Sequence, residues 1–519
     1  MAEQLIKRWT NWEDGIGYDV DDGQHNGFLG PDQGGTEVAS FVGTKTALIV
    51  PPGVTTLSNA TAVSFHHFRF GWVEYSPLGV AYLYLLSNND TTGSAAAIYK
   101  VDWPTAAALT SILYDTELIG RPEKYEGLWY FCNLEAGGEI RELTTIDETG
   151  AITSDTIGLS TGDRGQGHLF LSGHQLASLG VYDLGVRLLA TGDNPVSGTW
   201  GSYFPVGDQG DFPIGGGSLS GLNFVLRNRG LYSFNDRGRS GTISEDFAPW
   251  QAASFFQGEE GIWLSAPWKG GLVFAHPSGI YYFSLQTGLP IDISVGRRLR
   301  TSGHKTLFPH STLAYLGITA VGDCIYTWAS GNGTGVQLFC GQSIGGDPTN
   351  ISWSAVAAQG VDLDSSMLLP IMDAGIHGTY TGGGGNLLFC TSSATRTLST
   401  IGIGHTGAPL INGAITLPAT VKGLMSELEF PSPIRLTRAV INLRHMTAGA
   451  PIQLYGYIDN GTTAENFGAP VVADDRHEIT INRDNVHRLI LGISYDGSAL
   501  GSAAQPPEIG MIELYGEPT

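Results

Sequence analysis

The sequence has few basic residues compared with acidic ones, and this balance excludes one class of binding partner. It has 27 Lys and Arg against 49 Asp and Glu, which gives a formal net charge of −22 at pH 7. Nucleic-acid binding needs a basic stripe that neutralises phosphates, and the sequence has none. We therefore predict no nucleic-acid partner. The acidic charge favours solubility and suppressed self-association, with docking onto a basic partner surface as the alternative.

Cysteine is also scarce, with four residues and no CxxC spacing of the kind found in zinc and redox sites. Cys132, Cys324, Cys340 and Cys390 all lie within strand-like runs. This placement is typical of buried free thiols made in a reducing cytoplasm. The sequence leaves open a cross-strand disulfide between Cys324 and Cys340.

Long apolar runs and catalytic motifs are missing as well. The most apolar run, Leu78 to Leu86, has nine residues, and the first ten residues contain no apolar core of an export signal. We expect neither a membrane span nor an export signal. No GxSxG elbow, HExxH pair or phosphate-binding loop occurs. We therefore predict no catalytic residue and no cofactor, and we expect a protein that is not an enzyme.

What the sequence does contain is glycine, 73 of 519 residues, between short aromatic-rich strands. One strand pair joined by a Gly, Asp or Asn turn recurs about every 40–60 residues, which is typical of propeller blades. The residues that mark this recurrence are Leu83, Leu128, Leu169, Phe224, Val273, Ile325 and Leu387. The pattern predicts a β-propeller of six or seven blades.

The chain is therefore predicted to be all-β, with three parts. Residues 1–80 form an N-terminal entry segment that packs on or closes the propeller, and residues 81–418 form the propeller itself. Residues 419–519 contain about six alternating strands, which predict a jelly-roll-like β-sandwich that folds on its own.

An acidic loop at residues 13–23 holds the candidate metal ligands Asp14, Asp19, Asp21 and Asp22. Clustered carboxylates suit a hard cation such as calcium. The loop lacks the ligand register and the closing Glu of an EF-hand, so a solvated loop is the alternative. The metal assignment stays open.

Aromatic residues in or near loops are the candidate contacts for a ligand or partner, because binding residues tend to collect on loops. These candidates are Trp200, Tyr203, Phe204, Phe212, Trp250 and Trp268. Packing within or between blades is the alternative role for each ring. The segments 186–220 and 13–23 are the places where we expect partner contacts.

Three stretches have a recognisable texture: the opening Trp9-x-x-Trp12-x-Asp-Gly-x-Gly17, strands such as Gly279–Ser284, and the closing Pro506–Tyr515. Together they resemble the propeller-plus-sandwich structural proteins of tailed bacteriophages. The resemblance is one of texture over nearly the whole chain. It implies a virion protein of the tail, in a nozzle, tip or fibre-associated position, assembled in the host cytoplasm. It also implies other tail proteins as partners, self-assembly into a ring or cluster, and contact with carbohydrate at the host surface.

Two alternatives to this function are kept. The first is a carbohydrate-active propeller enzyme, a glycosidase or lyase, which predicts a central funnel lined by two or three carboxylates and an Arg. The second is a lectin-like binding propeller.

Overall fold

The structure is a computed structural model. It describes residues 3–519 except 11, 13–27, 31–40, 57–66, 76–80, 89–95, 103–109, 116–118, 133–139, 144–153, 156–166, 181–184, 196, 203, 208–212, 228–229, 236–239, 245–262, 277–278, 295–313, 331–335, 360–366, 373–383, 392–396, 410–414, 417, 460, 462, 500–501 and 504. The described residues are almost entirely β-strand, with one 3₁₀ turn at Ile344–Gly346. The all-β class predicted from sequence is confirmed.

Seven four-stranded antiparallel sheets, which we call blades 1 to 7, form a β-propeller. The first strand of a blade is its inner strand, and it contacts the inner strand of the next blade along most of the ring. The inner strand of blade 7 contacts that of blade 1. Blades 1 and 2 meet through the ion pair of Lys124 with Glu74 and through the rings of Trp72 and Trp129, 4.7 Å apart. The ring is therefore closed.

The strands of each blade are given in order from the inner to the outer strand. Blade 1 comprises His67–Tyr75, Ala81–Asn88, Ala96–Asp102 and Thr110–Asp115, and blade 2 comprises Glu123–Tyr125, Leu128–Cys132, Ile140–Leu143 and Ser154–Asp155. Blade 3 comprises His168–Ser172, Gln175–Leu179, Gly185–Leu188 and Phe204–Pro205, and blade 4 comprises Pro213–Leu219, Leu222–Arg227, Leu231–Phe234 and Ser240–Ser244. Blade 5 comprises Ser265–Trp268, Gly271–His276, Gly279–Phe283 and Ile291–Asp292, and blade 6 comprises Ala314–Val321, Cys324–Ser330, Val336–Ser343 and Ile351–Gln359. Blade 7 comprises Leu368–Ile371, Gly385–Thr391, Thr397–Ile403 and Thr55–Thr56.

Local sequence explains why these strands form hairpins. Each residue that marks the recurrence lies in a different blade, and six of the seven lie in a second strand. The turns Glu126-Gly127, Ser220-Gly221 and Lys269-Gly270 have positive φ at both residues, so they are two-residue turns of the type that matches strand twist. The segment 186–220 has three prolines and few strand signals, which predict a long loop or insertion on one face, but it contributes strands to blades 3 and 4.

The N-terminal segment contributes strands both to the propeller and to the C-terminal sheet. Thr55–Thr56 pairs with Thr400 and Ser399 and so supplies the outer strand of blade 7. The inner strand of blade 1 begins at His67, before the predicted boundary at residue 80. The strands upstream of Thr55 join the C-terminal sheet instead of a blade.

The C-terminal sheet has nine strands in the described part of the chain. They are Gln4–Trp9, Phe28–Gly30, Val42–Gly43, Leu48–Ile49, Thr420–Arg444, Ile452–Ile458, Glu465–Val471, Asp475–Asp496 and Glu508–Pro518. A separate strand pair joins Ile415–Thr416 to Ser502–Ala503.

Two long strands, Thr420–Arg444 and Asp475–Asp496, run through both layers of this sheet. Their pairing shifts register around Pro431 and Pro433, opposite Asn482 and Asn485, which have positive φ. Prolines and left-handed residues interrupt a ladder and let it bend. Sequence patterning predicts separate strands at 427–430 and 434–444, and at 477–482 and 486–495, but each of these two pairs is one continuous bent strand.

Side chains from both layers of the C-terminal sheet share one hydrophobic core, which is continuous with the cores of blades 4 to 6. Trp9 and Trp12 of the N-terminal segment are fully buried in it. The four cysteines are free and buried, so Cys324 and Cys340 carry thiols and not a disulfide.

Candidate functional site at the propeller axis

Seven of the ten residues predicted as candidate contacts lie outside the described residues. They are Asp14, Asp19, Asp21, Asp22, Tyr203, Phe212 and Trp250. Within the described ranges, no group of three His, Cys, Asp or Glu side chains is placed to hold a metal ion.

The other three candidates all have intramolecular contacts. The indole Nε1 of Trp200 donates to the carbonyl oxygen of Pro195 at 2.9 Å, and that of Trp268 donates to Gly322 O at 3.0 Å. The ring of Phe204 packs 5.6 Å from that of Phe234 in blade 4. Trp268 is 5% exposed. The rings of Phe204 and Trp268 contact neighbouring blades, and Trp200 packs against the core that blades 2 and 3 share.

A cluster that sequence reasoning missed lies at the centre of the ring. Trp263 leads into the inner strand of blade 5, and Arg121 leads into that of blade 2. The guanidinium carbon of Arg121 lies over the Trp263 ring, 5.0 Å from its centroid. Blades 2 and 5 are not neighbours in a ring of seven, and the two side chains meet beside the inner strand of blade 3.

Residues of blades 3 and 4 surround the same indole. The His168 ring of blade 3 lies 5.3 Å from the Trp263 ring, and Phe170 lies 6.1 Å from it. A Cβ placed on Gly216 of blade 4 would lie 3.2 Å from the indole. The absence of a Cβ at Gly216 gives the indole room to lie against this strand. We call Arg121, Glu123, His168 and Trp263 the axial cluster.

Arg121 is fixed in place by three kinds of contact. Its Nη1 donates to a carboxylate oxygen of Glu123 and to the carbonyl oxygen of Leu169, the latter at 2.8 Å. Its backbone N–H donates to Nδ1 of His168 at 3.0 Å. The Trp263 face adds a cation–π contact. This guanidinium is therefore held in one orientation before any ligand arrives.

His168 is a fully buried neutral base. Burial, reinforced by the positive charge of Arg121, lowers the pKa of its imidazole to about 3. Because Nδ1 accepts a hydrogen bond, the proton of the neutral ring lies on Nε2. Among the described residues, none accepts a hydrogen bond from that Nε2. A buried donor without an acceptor costs about 1–3 kcal/mol.

The axial cluster is partly open to solvent at its charged end. The side chains of Arg121 and Glu123 are 26% and 15% exposed. Together they present guanidinium donors and carboxylate acceptors at the axis, a combination that binds oxyanions and sugar hydroxyls. No spacing in the sequence brings Arg121 and Trp263 together, because their contact depends on closure of the ring.

No helix in the described part of the chain is long and apolar enough to cross a membrane.

No protein-family model matches the chain. No curated protein matches it in sequence. Among solved structures, a chain of the mitotic checkpoint complex is 9% identical over 68% of this chain and 94% of its own, with a TM-score of 0.40.

Two further solved structures are similarly distant. The extracellular domain of a hybrid two-component system from B. thetaiotaomicron is 10% identical over 85% of this chain and 59% of its own, with a TM-score of 0.43. The β-propeller domain of the trilobed protease from Pyrococcus furiosus is 12% identical over 52% of this chain and 80% of its own, with a TM-score of 0.30. Similarities with TM-scores this low support no inference about the activity of this chain.

Proposed function

We propose that this chain is a non-enzymatic structural protein of the tail of a tailed bacteriophage, in a nozzle, tip or fibre-associated position. The observation that carries the proposal is the path of the N-terminal segment. Its strands belong both to the C-terminal sheet and to blade 7, so one stretch of chain ties two β-units together. A unit tied in this way suits a building block that bears load in a particle.

Exposed apolar residues supply a surface for neighbouring subunits. Tyr75, Leu171, Leu222 and Met372 are each 39–45% exposed. They lie at or next to the link between the inner and second strands of blades 1, 3, 4 and 7, and therefore at one end of the ring. Closure of the ring leaves few free sheet edges, so contacts with other tail proteins, or with further copies in a ring or cluster, would fall to such residues.

The test is to locate the protein in particles. Gold-labelled antibodies raised against the chain are applied to phage particles from the lysate of the cells that encode it, and the particles are imaged by electron microscopy. We expect label at the tail and none on the capsid. Particles that carry no label, in a lysate that contains the protein, would contradict the proposal.

A carbohydrate-active enzyme is the second candidate, because the axial cluster contains an Arg and a carboxylate. Glycoside hydrolysis uses a pair of carboxyl groups about 5–10 Å apart. Incubation with a panel of polysaccharides separates the two candidates, since the structural proposal expects no release of reducing ends.

A further inference from the structure

We propose that the axial cluster is a binding site for an acidic sugar unit. Arg121 donates hydrogen bonds to the sugar carboxylate, and Glu123 accepts hydrogen bonds from ring hydroxyls. The inference rests on the proposed function, because it names the class of host-surface carbohydrate that a tail protein would meet. It concerns recognition and includes no bond-breaking step.

Preorganisation of Arg121 is the first reason. Its guanidinium is already bonded to Leu169 and Glu123 and lies on the Trp263 ring, so little side-chain entropy remains to be lost on binding. A planar guanidinium presents paired N–H groups that match a carboxylate. The side chain keeps 26% of its surface exposed, which leaves part of it accessible to a ligand.

Charge at this end of the ring is the second reason. The inner strands of a propeller begin at the same end of the axis, and there the described chain has two arginines, Arg69 in blade 1 and Arg121 before blade 2. The described inner strands of these two blades also hold Lys124 and the carboxylates Glu74 and Glu123, so three cations stand against two carboxylates. This balance contrasts with the net charge of −22 of the chain as a whole.

Anchoring of Arg121 by His168 is the third reason. The imidazole of His168 is fully buried, and its Nδ1 accepts a hydrogen bond from the backbone N–H of Arg121 at 3.0 Å. Arg121 and Glu123 thus offer donors for a carboxylate and an acceptor for hydroxyls from a backbone that is held in place.

The experiment measures binding to the full chain by isothermal titration, with three probes used separately: methyl glucuronide, methyl glucoside and inorganic phosphate. We expect methyl glucuronide to bind at least tenfold more tightly than the other two, because it alone has both carboxylate and ring hydroxyls.

The variant Arg121→Gln should weaken methyl glucuronide binding by about tenfold or more, the usual effect of losing a charged hydrogen bond. The matched control is Arg435→Gln, which removes an arginine that is 47% exposed and ion-paired with Asp484 in the C-terminal sheet. The control should bind as the parent does. Circular dichroism shows whether Arg121→Gln folds. If it does not, Arg121→Lys keeps the charge and should also weaken methyl glucuronide binding, by a smaller factor.

Absence of glucuronide binding, equal affinity for glucuronide and glucoside, or unchanged affinity in a folded Arg121→Gln variant would each overturn the inference. Equal affinity for phosphate and glucuronide would also overturn it, because it would reveal an anion site with no preference for sugar. These outcomes are independent of particle labelling. Tail label without glucuronide binding removes only the axial site, and glucuronide binding without tail label removes only the phage assignment.

Discussion

The pKa of a single charged residue in this chain depends on its surroundings, and Glu513 is the clearest case. Its side chain is 3% exposed, and its carboxylate binds Arg8 and Arg476 and accepts a hydrogen bond from Tyr515 at 3.0 Å. Burial acts to raise the pKa of this carboxyl, but the bonds from Arg8 and Tyr515 and the nearby charges outweigh it. The pKa is therefore held below its ordinary value.

The first prediction concerns acid stability. Because the folded-state pKa of Glu513 lies below its unfolded value, its contribution to stability is complete above the unfolded pKa and is lost as pH falls through the folded pKa. We expect Glu513→Gln to lower the free energy of unfolding by about 1–3 kcal/mol at neutral pH and by less in acid. Urea unfolding at a series of pH values measures this.

A matched control for Glu513 is Asp484→Asn, which removes the partner of Arg435 from an exposed ion pair with side chains 47% and 70% exposed. Exposed pairs contribute about 0–1 kcal/mol, so this variant should resemble the parent at every pH. A loss of similar size in both variants would mean that the burial of Glu513 is not the cause.

The second prediction concerns the protonation of His168. With a pKa of about 3, the imidazole stays neutral at pH 5, with its proton on Nε2. Nitrogen-15 chemical shifts of the histidine rings should include a ring in that form at pH 5, whereas exposed histidines are protonated there. The assignment is checked by loss of that signal in His168→Asn, and a protonated His168 at pH 5 would contradict it.

At the scale of elements, two residues close the propeller. Thr55–Thr56 pairs with Ser399 and Thr400 and completes blade 7. Replacing both threonines by proline removes their backbone N–H groups, whereas replacing both by valine keeps them. We expect the proline variant to lose about 1–3 kcal/mol of unfolding free energy and the valine variant to lose little. Equal stability of the two in urea would show that this strand does not hold the ring closed.

The bends in the long strands give the next prediction. Asn485 has a φ of 59° and is exposed, so a substitution there changes backbone strain with little change in packing. Asn485→Val should lower stability by about 1–2 kcal/mol, because β-branched residues resist the left-handed region. Asn485→Gly should leave stability unchanged or raise it. Thermal melts of both variants and the parent measure these effects. Equal effects of the two would rule out strain as the reason for Asn at this bend.

The sequence predicted the strands well where the pattern of aromatic strands and turns recurs once per blade. Aromatic strands joined by turns such as Ser220-Gly221 predicted the blades, since local hairpins need no distant partner. The closing strand was not predictable, because two threonines carry no pattern. The continuity of Thr420–Arg444 was missed because Pro431 and Pro433 ordinarily end a strand. The axial cluster depends on contacts between blades, which a linear pattern does not encode.

At the scale of the whole molecule, the two units share chain and core. Four strands within residues 4–49 belong to the C-terminal sheet, and its core continues into blades 4 to 6. We therefore predict that residues 419–519 do not fold alone, contrary to what their strand pattern suggests. Far-ultraviolet circular dichroism and a urea titration of that fragment test this. A cooperative unfolding transition in the isolated fragment would contradict the prediction.

The pairing of Gln4–Trp9 with Glu508–Pro518 also has a consequence for synthesis on the ribosome. The first of these strands leaves the exit tunnel hundreds of residues before its partner is translated. During that interval the strand lacks its partner in this sheet. A nascent chain that stops before residue 508 cannot form this pairing.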